Sequence, residues 1–175
     1  METCYTLVMR FAYADPPYLG QGKKHYTKHH PEAHVWDDPE THQHLIDSLA
    51  GYDGWAMSLS SPSLKVLLPM CPDDVRIAAW VKPFGIFKPN VNPSYVWEPV
   101  IFRGSRKRDR SEPTIRDFVS ANITLKKGLV GAKPPDFNAW ILDLLGFRHG
   151  EDDLVDLFPG TGGMADAIAQ RASAA

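Results

Sequence analysis

The chain is poor in several features that mark large protein classes. Its two cysteines, Cys4 and Cys71, lie far apart without Cys-x-x-Cys spacing, so neither a disulfide framework nor a zinc–cysteine site is indicated. No apolar run reaches the length of a membrane span, and no signal-peptide pattern follows Met1. The formal net charge of −2 provides no overall attraction to nucleic acid. These absences predict a soluble, cytoplasmic protein with no membrane partner, in which any nucleic-acid contact must come from local patches.

The order of the predicted elements indicates an α/β fold. Apolar segments predict strands at residues 7–14, 55–59, 75–81, 95–102, 117–125 and 154–158. Asp38-Pro39 supplies a helix start before an apolar repeat that ends at Gly51, and a continuous apolar stripe over 137–145 predicts a second long helix. A short helix follows Ser61-Pro62, and 164–172 predicts the last one. Strands alternating with helices predict a mostly parallel, doubly wound sheet in a single domain, 1–175.

Asp15-Pro16-Pro17-Tyr18 follows the first predicted strand. Its prolines cannot continue a sheet ladder and direct the backbone along a preset path with free carbonyl oxygens. A carboxylate and a carbonyl are both acceptors, which suits a planar group with two N–H donors, such as the exocyclic amine of a base. The tyrosine ring adds a stacking surface for that base. The plain alternative is that the four residues form only a turn.

A second motif lies near the other end of the chain. The segment 156–163, Asp-Leu-Phe-Pro-Gly-Thr-Gly-Gly, stands between a predicted strand and a predicted helix. Glycines at such a turn let a ligand approach the backbone at the carboxyl edge of the sheet, where α/β proteins bind ligands. By itself this turn is moderately specific, and its pairing with Asp-Pro-Pro-Tyr on another strand makes the combination sharper.

The two motifs, in this order, resemble the permuted, beta-class-like DNA amino-methyltransferases that use S-adenosylmethionine, of the adenine-N6 type. In that family Asp-Pro-Pro-Tyr comes first and the cofactor-binding glycine loop comes near the end. Softer similarities are Gly131-Ala132-Lys133-Pro134 and the segments 80–83 and 97–104. The resemblance implies a three-layer Rossmann-like methyltransferase fold with circularly permuted motif order and a shortened carboxyl terminus.

The resemblance also implies roles for individual residues. Catalysis falls to Asp15, Pro16, Pro17 and Tyr18, with Asp15 and the Pro16 carbonyl accepting hydrogen bonds from the target amine. Cofactor binding is assigned to Asp15, Lys133, Asp156, Phe158, Pro159, Gly160, Thr161 and Gly162. The implied reaction is methyl transfer from S-adenosylmethionine to an exocyclic amine, adenine N6 in DNA. Cytosine N4, an RNA base, a small-molecule or protein amine, and a non-catalytic nucleic-acid-binding module remain open alternatives.

Two polar segments predict contacts with nucleic acid. The loop 19–38 carries Lys23, Lys24 and Lys28, and a basic loop at 103–113 carries Arg106, Lys107 and Arg108. The second loop stands where the family has its target-recognition region, although a solvated surface run would look the same. This loop is too short for a domain that reads a target sequence. We therefore expect low sequence specificity, or specificity supplied by a second subunit of a homodimer or by a separate partner. DNA is favoured over RNA as the substrate. The family's acid for the cofactor ribose has no assigned counterpart.

A histidine cluster raises the question of a metal. His25, His29, His30 and His34 lie close together, and His42 and His44 follow. Zinc accepts such ligands, but no cysteine lies nearby and no His-Glu-x-x-His pattern occurs. We therefore predict no metal and interpret the segment as a solvated loop or a basic flap over the target site.

Overall fold

A computed structural model describes residues 8–27, 30–85, 89–124 and 132–174. The strands are β1 (Arg10–Ala14), β2 (Gly54–Ser58), β3 (Arg76–Val81), β4 (Trp97–Arg103), β5 (Phe118–Ser120) and β6 (Asp153–Asp156). The helices are α1 (Pro39–Leu49), α2 (Leu64–Leu67, between two 3₁₀ turns), α3 (Pro135–Leu145) and α4 (Gly163–Ala174). Within the described ranges, no helix combines the length and apolarity needed to cross a bilayer.

These strands form a single mixed sheet in the order β5-β3-β4-β2-β1-β6. The pairs β1–β2, β1–β6 and β3–β5 are parallel, whereas β4 is antiparallel to both β2 and β3. Five strands therefore run in one direction and β4 runs against them, which confirms the predicted mostly parallel α/β sheet. The chain runs from β1 to β2 on one side of β1, and it returns to β6 on the other side. The strand order therefore reverses between β1 and β6, and at such a switch point α/β proteins bind ligands at the carboxyl edge of the sheet.

Two apolar clusters cover the two faces of the sheet. Successive side chains of a strand point to opposite faces, so Phe11 and Tyr13 enter one cluster while Ala12 and Ala14 enter the other. The first cluster is completed by residues of α3 and α4, among them Phe137, Ile141, Met164 and Ala167. The second is completed by α1 and α2, among them Ile46, Leu49, Leu64 and Leu67. This confirms the predicted three-layer architecture.

Helices α1 and α3 begin where their sequence signals predict, and α3 also ends at the predicted glycine. The Asp38 carboxylate accepts a hydrogen bond from the backbone N–H of Glu40 at 3.0 Å and so caps α1, with Pro39 in the first helical position. Helix α3 ends at Gly146, whose φ of 72° is the left-handed conformation that favours glycine. Five apolar residues of α3 that form the predicted stripe are buried: Phe137, Trp140, Ile141, Leu144 and Leu145.

The segment predicted as a loop at 19–38 contains two short helical stretches. Gly22–Tyr26 forms a π-helical turn and Pro31–Asp37 a 3₁₀ helix. The Asp37 carboxylate joins them by accepting hydrogen bonds from the backbone N–H groups of Gly22 at 2.7 Å and Lys23 at 3.0 Å. Gly22 packs so closely that a Cβ there would lie 2.1 Å from the Ala33 carbonyl oxygen. These two stretches are held by such contacts and not by an apolar stripe. The sequence therefore has no periodic pattern here and predicts only a loop.

Candidate active site

The two sequence motifs lie side by side at the carboxyl edge of the sheet. Asp15 to Tyr18 follow β1, and the glycine turn follows β6, its immediate parallel neighbour. Tyr13 lies opposite Asp156 in the register, and the backbone N–H of Leu157 donates to the Tyr13 carbonyl at 2.9 Å. Segments from opposite ends of the chain therefore lie side by side at the switch point of the sheet, where α/β proteins bind ligands.

Asp15 is held by Lys133, which lies just before α3. The Lys133 ammonium donates to both Asp15 carboxylate oxygens at 2.7 Å. The two side chains are largely buried, with exposed fractions of 7% for Lys133 and 21% for Asp15. The carboxylate that the sequence predicts as an acceptor for a target amine is thus occupied by an ammonium group of the protein itself. Lys133, predicted as a cofactor contact, here serves first as the partner of Asp15.

Glu98 at the start of β4 extends this pair into a network. The Tyr18 hydroxyl donates to Glu98 Oε2 at 2.6 Å and accepts from Lys133 at 3.0 Å. Lys133 Nζ lies 3.8 Å from the same Glu98 oxygen, and Lys82, just after β3, forms an ion pair with Glu98 Oε1. Two carboxylates and two ammonium groups thus meet in one cluster with no net formal charge.

Burial and charge change the acidity of these groups. Burial raises the pKa of Asp15, and the charge of Lys133 offsets only part of this. Burial alone would raise the pKa of Glu98, but Lys133 and Lys82 together hold it below its ordinary value. Burial alone would lower the pKa of Lys133, but Asp15 and Glu98 raise it, so the lysine stays charged at neutral pH. Burial and the two carboxylates raise the pKa of Tyr18 well above its ordinary value, so its hydroxyl keeps its proton.

Aromatic rings surround the ammonium group of Lys133. Its Nζ lies 5.3 Å from the ring centre of Tyr18 and 5.9 Å from those of Trp80 and Phe137. The pKa of Tyr26, on the π-helical turn, is raised by burial and by the charge of Asp15, which places its phenol within electrostatic range of the cluster. The charged centre of the cluster is therefore surrounded by aromatic rings.

The glycine turn has the backbone that its composition predicts. Gly160 and Gly162 have φ angles of 45° and 80°, and the N–H of Gly162 donates to the Pro159 carbonyl at 2.7 Å. Pro159, Gly160 and Thr161 are exposed at the carboxyl edge, directly before the amino end of α4. A Cβ on Gly163 would lie 2.7 Å from Nδ2 of the buried Asn138, so α4 approaches α3 closely at this point.

Asp156 and Phe158 form the base of this turn. The Asp156 carboxylate accepts from the Phe158 backbone N–H at 3.1 Å, and burial raises the pKa of this half-buried carboxyl group. The Phe158 ring packs edge-on against Trp36, with 5.1 Å between ring centres. Trp36 in turn contacts His42, whose Nε2 donates to the Trp36 carbonyl at 2.9 Å. The contact with Phe158 places Trp36 against the base of the glycine turn.

The predicted basic contacts are separated by the fold. Lys23 and Lys24 are exposed on the π-helical turn beyond Tyr18, at the carboxyl edge, whereas Lys28 lies outside the described residues. Because β4 runs against its neighbours, the loop that follows it leaves from the opposite, amino edge. There Gly104 packs against the start of β2, with a Cβ position 2.3 Å from the Asp53 carbonyl oxygen.

Arg106, Lys107 and Arg108 consequently lie at the amino edge, away from Asp15. Arg106 forms an ion pair with the buried Asp152, and Arg108 donates to the Asp143 carbonyl near the end of α3. The fold therefore places this predicted nucleic-acid contact at the edge opposite Asp15. Chain order does not show this, because it does not show that β4 is reversed.

Lys82 and Glu98 are site residues that the sequence interpretation did not assign. Both lie in segments that already carried the family resemblance, at the end of β3 and the start of β4. A usable signal for both was a charged residue in an apolar segment, since Lys82 comes two positions after Trp80 and Glu98 two positions before Val100. Within the described ranges, no group of three or more histidine, cysteine or carboxylate side chains is arranged to hold a metal ion.

The sheet order and the helices on both faces define a Rossmann-like α/β fold. Two crystal structures of M1.HpyAVI share it. The M1.HpyAVI–SAM complex superposes with a TM-score of 0.58 at 14% identity, over 94% of this chain and 79% of that chain. The second, a crystal structure of M1.HpyAVI, superposes with a TM-score of 0.54 at 12% identity, over 95% of this chain and 77% of that chain. At such identities the likeness establishes the fold alone. No protein-family model matches the sequence, and no curated protein sequence matches it.

Proposed function

We propose that the protein transfers a methyl group from S-adenosylmethionine to an exocyclic amine of a nucleobase, and that this amine is N6 of adenine in DNA. The observation that carries this proposal is the meeting of Asp15-Pro16-Pro17-Tyr18 and the glycine turn 156–163 at the carboxyl ends of adjacent strands. One motif presents acceptors and a ring to a base, and the other leaves backbone open to a cofactor. The fold shared with M1.HpyAVI, which was crystallised with SAM, supports the choice of cofactor.

The residues around the glycine turn are compatible with that cofactor. Gly160 and Gly162 keep side-chain atoms away from the exposed backbone, and the amino end of α4 offers N–H groups to a carboxylate. Phe158 supplies an apolar surface and Asp156 a half-buried acceptor. When bound, S-adenosylmethionine supplies an electrophilic methyl group on a sulfonium. Lys133, Pro159 and Thr161 complete the proposed set, together with Asp15 of the first motif.

Asp15 and Tyr18 carry the chemistry on the substrate side. The Asp15 carboxylate and the Pro16 carbonyl accept hydrogen bonds from the two N–H groups of the amine, which directs the lone pair of the amine toward the methyl donor. As the nitrogen takes the methyl group it would gain the positive charge, while the sulfur would keep the electron pair of the broken carbon–sulfur bond. The Asp15 carboxylate stabilises that charge, and the nitrogen then loses one N–H proton to solvent, so positioning and electrostatics supply the catalysis. The Tyr18 ring stacks on the base, which must be single-stranded or flipped out of a duplex to reach this crevice. Pro17 and the aromatic walls exclude water.

Exposed positive charge supports nucleic acid as the substrate at this edge. Lys23 and Lys24 project from the π-helical turn beside the crevice, where phosphate groups of a bound strand would pass. Arg106, Lys107 and Arg108 are left out of the proposed surface because they lie at the opposite edge. Adenine N6 is preferred because the motif begins with aspartate, which the resemblance associates with that base.

The direct test is transfer of a labelled methyl group to unmethylated DNA and to RNA, with mass spectrometry of the nucleosides. We expect N6-methyladenine in DNA from the wild-type protein. Asp15→Asn should abolish transfer while SAM binding, which depends mainly on the glycine turn, stays largely intact. Asp74→Asn is a matched control, because Asp74 also forms an ion pair, with Arg103 at 2.7 Å, but at the amino edge. No labelled nucleoside from any nucleic acid would refute the proposal. N4-methylcytosine or a modified RNA nucleoside would correct the substrate.

The cofactor assignment has its own matched pair of variants. Gly160 and Gly150 both have positive φ, 45° and 78°, in exposed turns at the two ends of β6. Substituting either with valine introduces comparable backbone strain, but only Gly160→Val adds a side chain beside the proposed pocket. Calorimetric titration should show at least a tenfold (~1.4 kcal/mol) weaker SAM binding for Gly160→Val and little change for Gly150→Val. Equal affinities would refute the assignment.

A further inference from the structure

The proposed function requires a carboxylate that is already in use. An amine that binds to Asp15 must take the place of the Lys133 ammonium, which lies 2.7 Å from both carboxylate oxygens. Lys133 is 7% exposed and ringed by Tyr18, Trp80 and Phe137. Moving an unpaired ammonium group within such apolar surroundings is costly, so it needs another anionic partner close by.

Glu98 is that partner by position. Its Oε2 atom lies 3.8 Å from Lys133 Nζ, so a shift of the ammonium of about 1 Å along this line gives a charge-assisted hydrogen bond. Lys82 holds the other oxygen, Oε1, which fixes the orientation of the carboxylate. Glu98 Oε2 also accepts the Tyr18 hydroxyl at 2.6 Å and thereby sets the position of the ring on which a base would stack.

We propose that Glu98 is a positioning residue that takes over Lys133 when an amine binds to Asp15, and that holds the Tyr18 ring in place for the base. This inference rests on the proposed function. An exocyclic amine is neutral and carries two N–H donors, so it can replace the ammonium at Asp15 in hydrogen bonding. The two carboxylates and the two ammonium groups all remain in the cluster, so the exchange leaves its net charge unchanged.

The exchange predicts an unusual pattern among variants. Glu98→Gln keeps the size of the side chain but removes the charge that draws Lys133 away from Asp15. We expect the KM for unmethylated mixed-sequence DNA to rise about tenfold, the size of a lost hydrogen bond between charged groups, while SAM affinity stays within about twofold. Adding Lys133→Met should then lower that KM again, because Asp15 is no longer occupied. A purely structural role of Glu98 predicts a further loss in the double variant.

The experiment measures kcat, the KM for DNA, SAM affinity and thermal unfolding for each variant. Glu112→Gln is the matched control, since Glu112 forms an ion pair with Arg148 at 3.2 Å at the amino edge and should leave all four values unchanged. If Glu98→Gln does not fold, Glu98→Asp serves instead. Its carboxylate lies one methylene further from Lys133, so the KM for DNA should still rise.

The outcomes separate this inference from the proposed function. A raised KM that the second substitution lowers supports the exchange. A Glu98→Gln or Glu98→Asp enzyme within twofold of wild type overturns it, as does a double variant with a still higher KM, while methyl transfer by the wild type would leave the proposed function standing. A wild-type protein that methylates no nucleic acid would overturn both.

Discussion

Replacing Lys133 by methionine tests the charge network directly, without any ligand. The change keeps the length and the apolar stem of the side chain but removes the ammonium that lies 2.7 Å from both Asp15 oxygens. Breaking a buried pair by removing one partner costs about 3–5 kcal/mol. Asp15 is 21% exposed and Glu98 keeps Lys82, so solvent and the second lysine reduce this cost. We expect the free energy of unfolding to fall by about 2–4 kcal/mol at pH 7.

The assay is urea unfolding of Lys133→Met, Asp15→Asn and the double variant. Because the double variant leaves no uncompensated carboxylate at Asp15, its stability should exceed that of Lys133→Met by about 1–3 kcal/mol. Double-mutant cycles isolate the pairwise contribution in this way. Strict additivity of the two losses would refute the ion pair as the stabilising contact.

The same variant should show a characteristic response to pH. Burial already raises the pKa of Asp15, and loss of Lys133 raises it further because the lysine charge opposes that shift. Between the unfolded pKa of about 3.9 and this raised value, the folded protein binds more protons than the unfolded chain, so stability increases as the pH falls. The deficit of Lys133→Met relative to wild type should therefore shrink on acidification. A deficit independent of pH would show that lost packing, not charge, causes it.

Three further predictions concern residues outside the charge network. Gly163→Ala should destabilise the protein by about 1–3 kcal/mol in urea unfolding, because its Cβ would lie 2.7 Å from Asn138 Nδ2; an unchanged midpoint would contradict the close packing of α4 on α3. Burial lowers the pKa of His42, so below about pH 6.5 the unfolded chain binds more protons than the folded protein and stability falls with the pH. In thermal melts across this pH range, His42→Leu should reduce the dependence of stability on pH. An unaltered dependence would exclude His42 as its cause. Burial raises the pKa of Cys71 to about 11, so iodoacetamide should label its peptide slowly at pH 8 by mass spectrometry, and rapid labelling would contradict its burial.

Most of the fold follows from local signals in the sequence. The apolar stripe of α3, the Asp38-Pro39 start of α1 and the glycine after α3 each act within a turn or two of helix, and the structure confirms all three. Alternating strands and helices correctly predict a mostly parallel sheet. These features depend on periodicity and backbone preference, which neighbouring residues determine.

Features that depend on distant contacts were not predictable in the same way. The reversed direction of β4 results from pairing with both β2 and β3, and no local pattern in 97–103 indicates it. That reversal brings Glu98 to Tyr18 and carries Arg106 to the other edge. Likewise, the ion pair of Lys133 with Asp15 joins residues that are 118 positions apart in the sequence, so the sequence predicts both residues but not the contact between them.

The reversed strand determines where added chain would be useful. A segment inserted before β4, between β3 and Trp97, would emerge beside Tyr18 and could lie against a bound nucleic-acid strand. A segment of equal length inserted after Arg103 would emerge on the far side of the molecule, beside Arg106 and Asp152. Grafting a reading module to change target preference should therefore succeed in the first connection and have no effect on preference in the second.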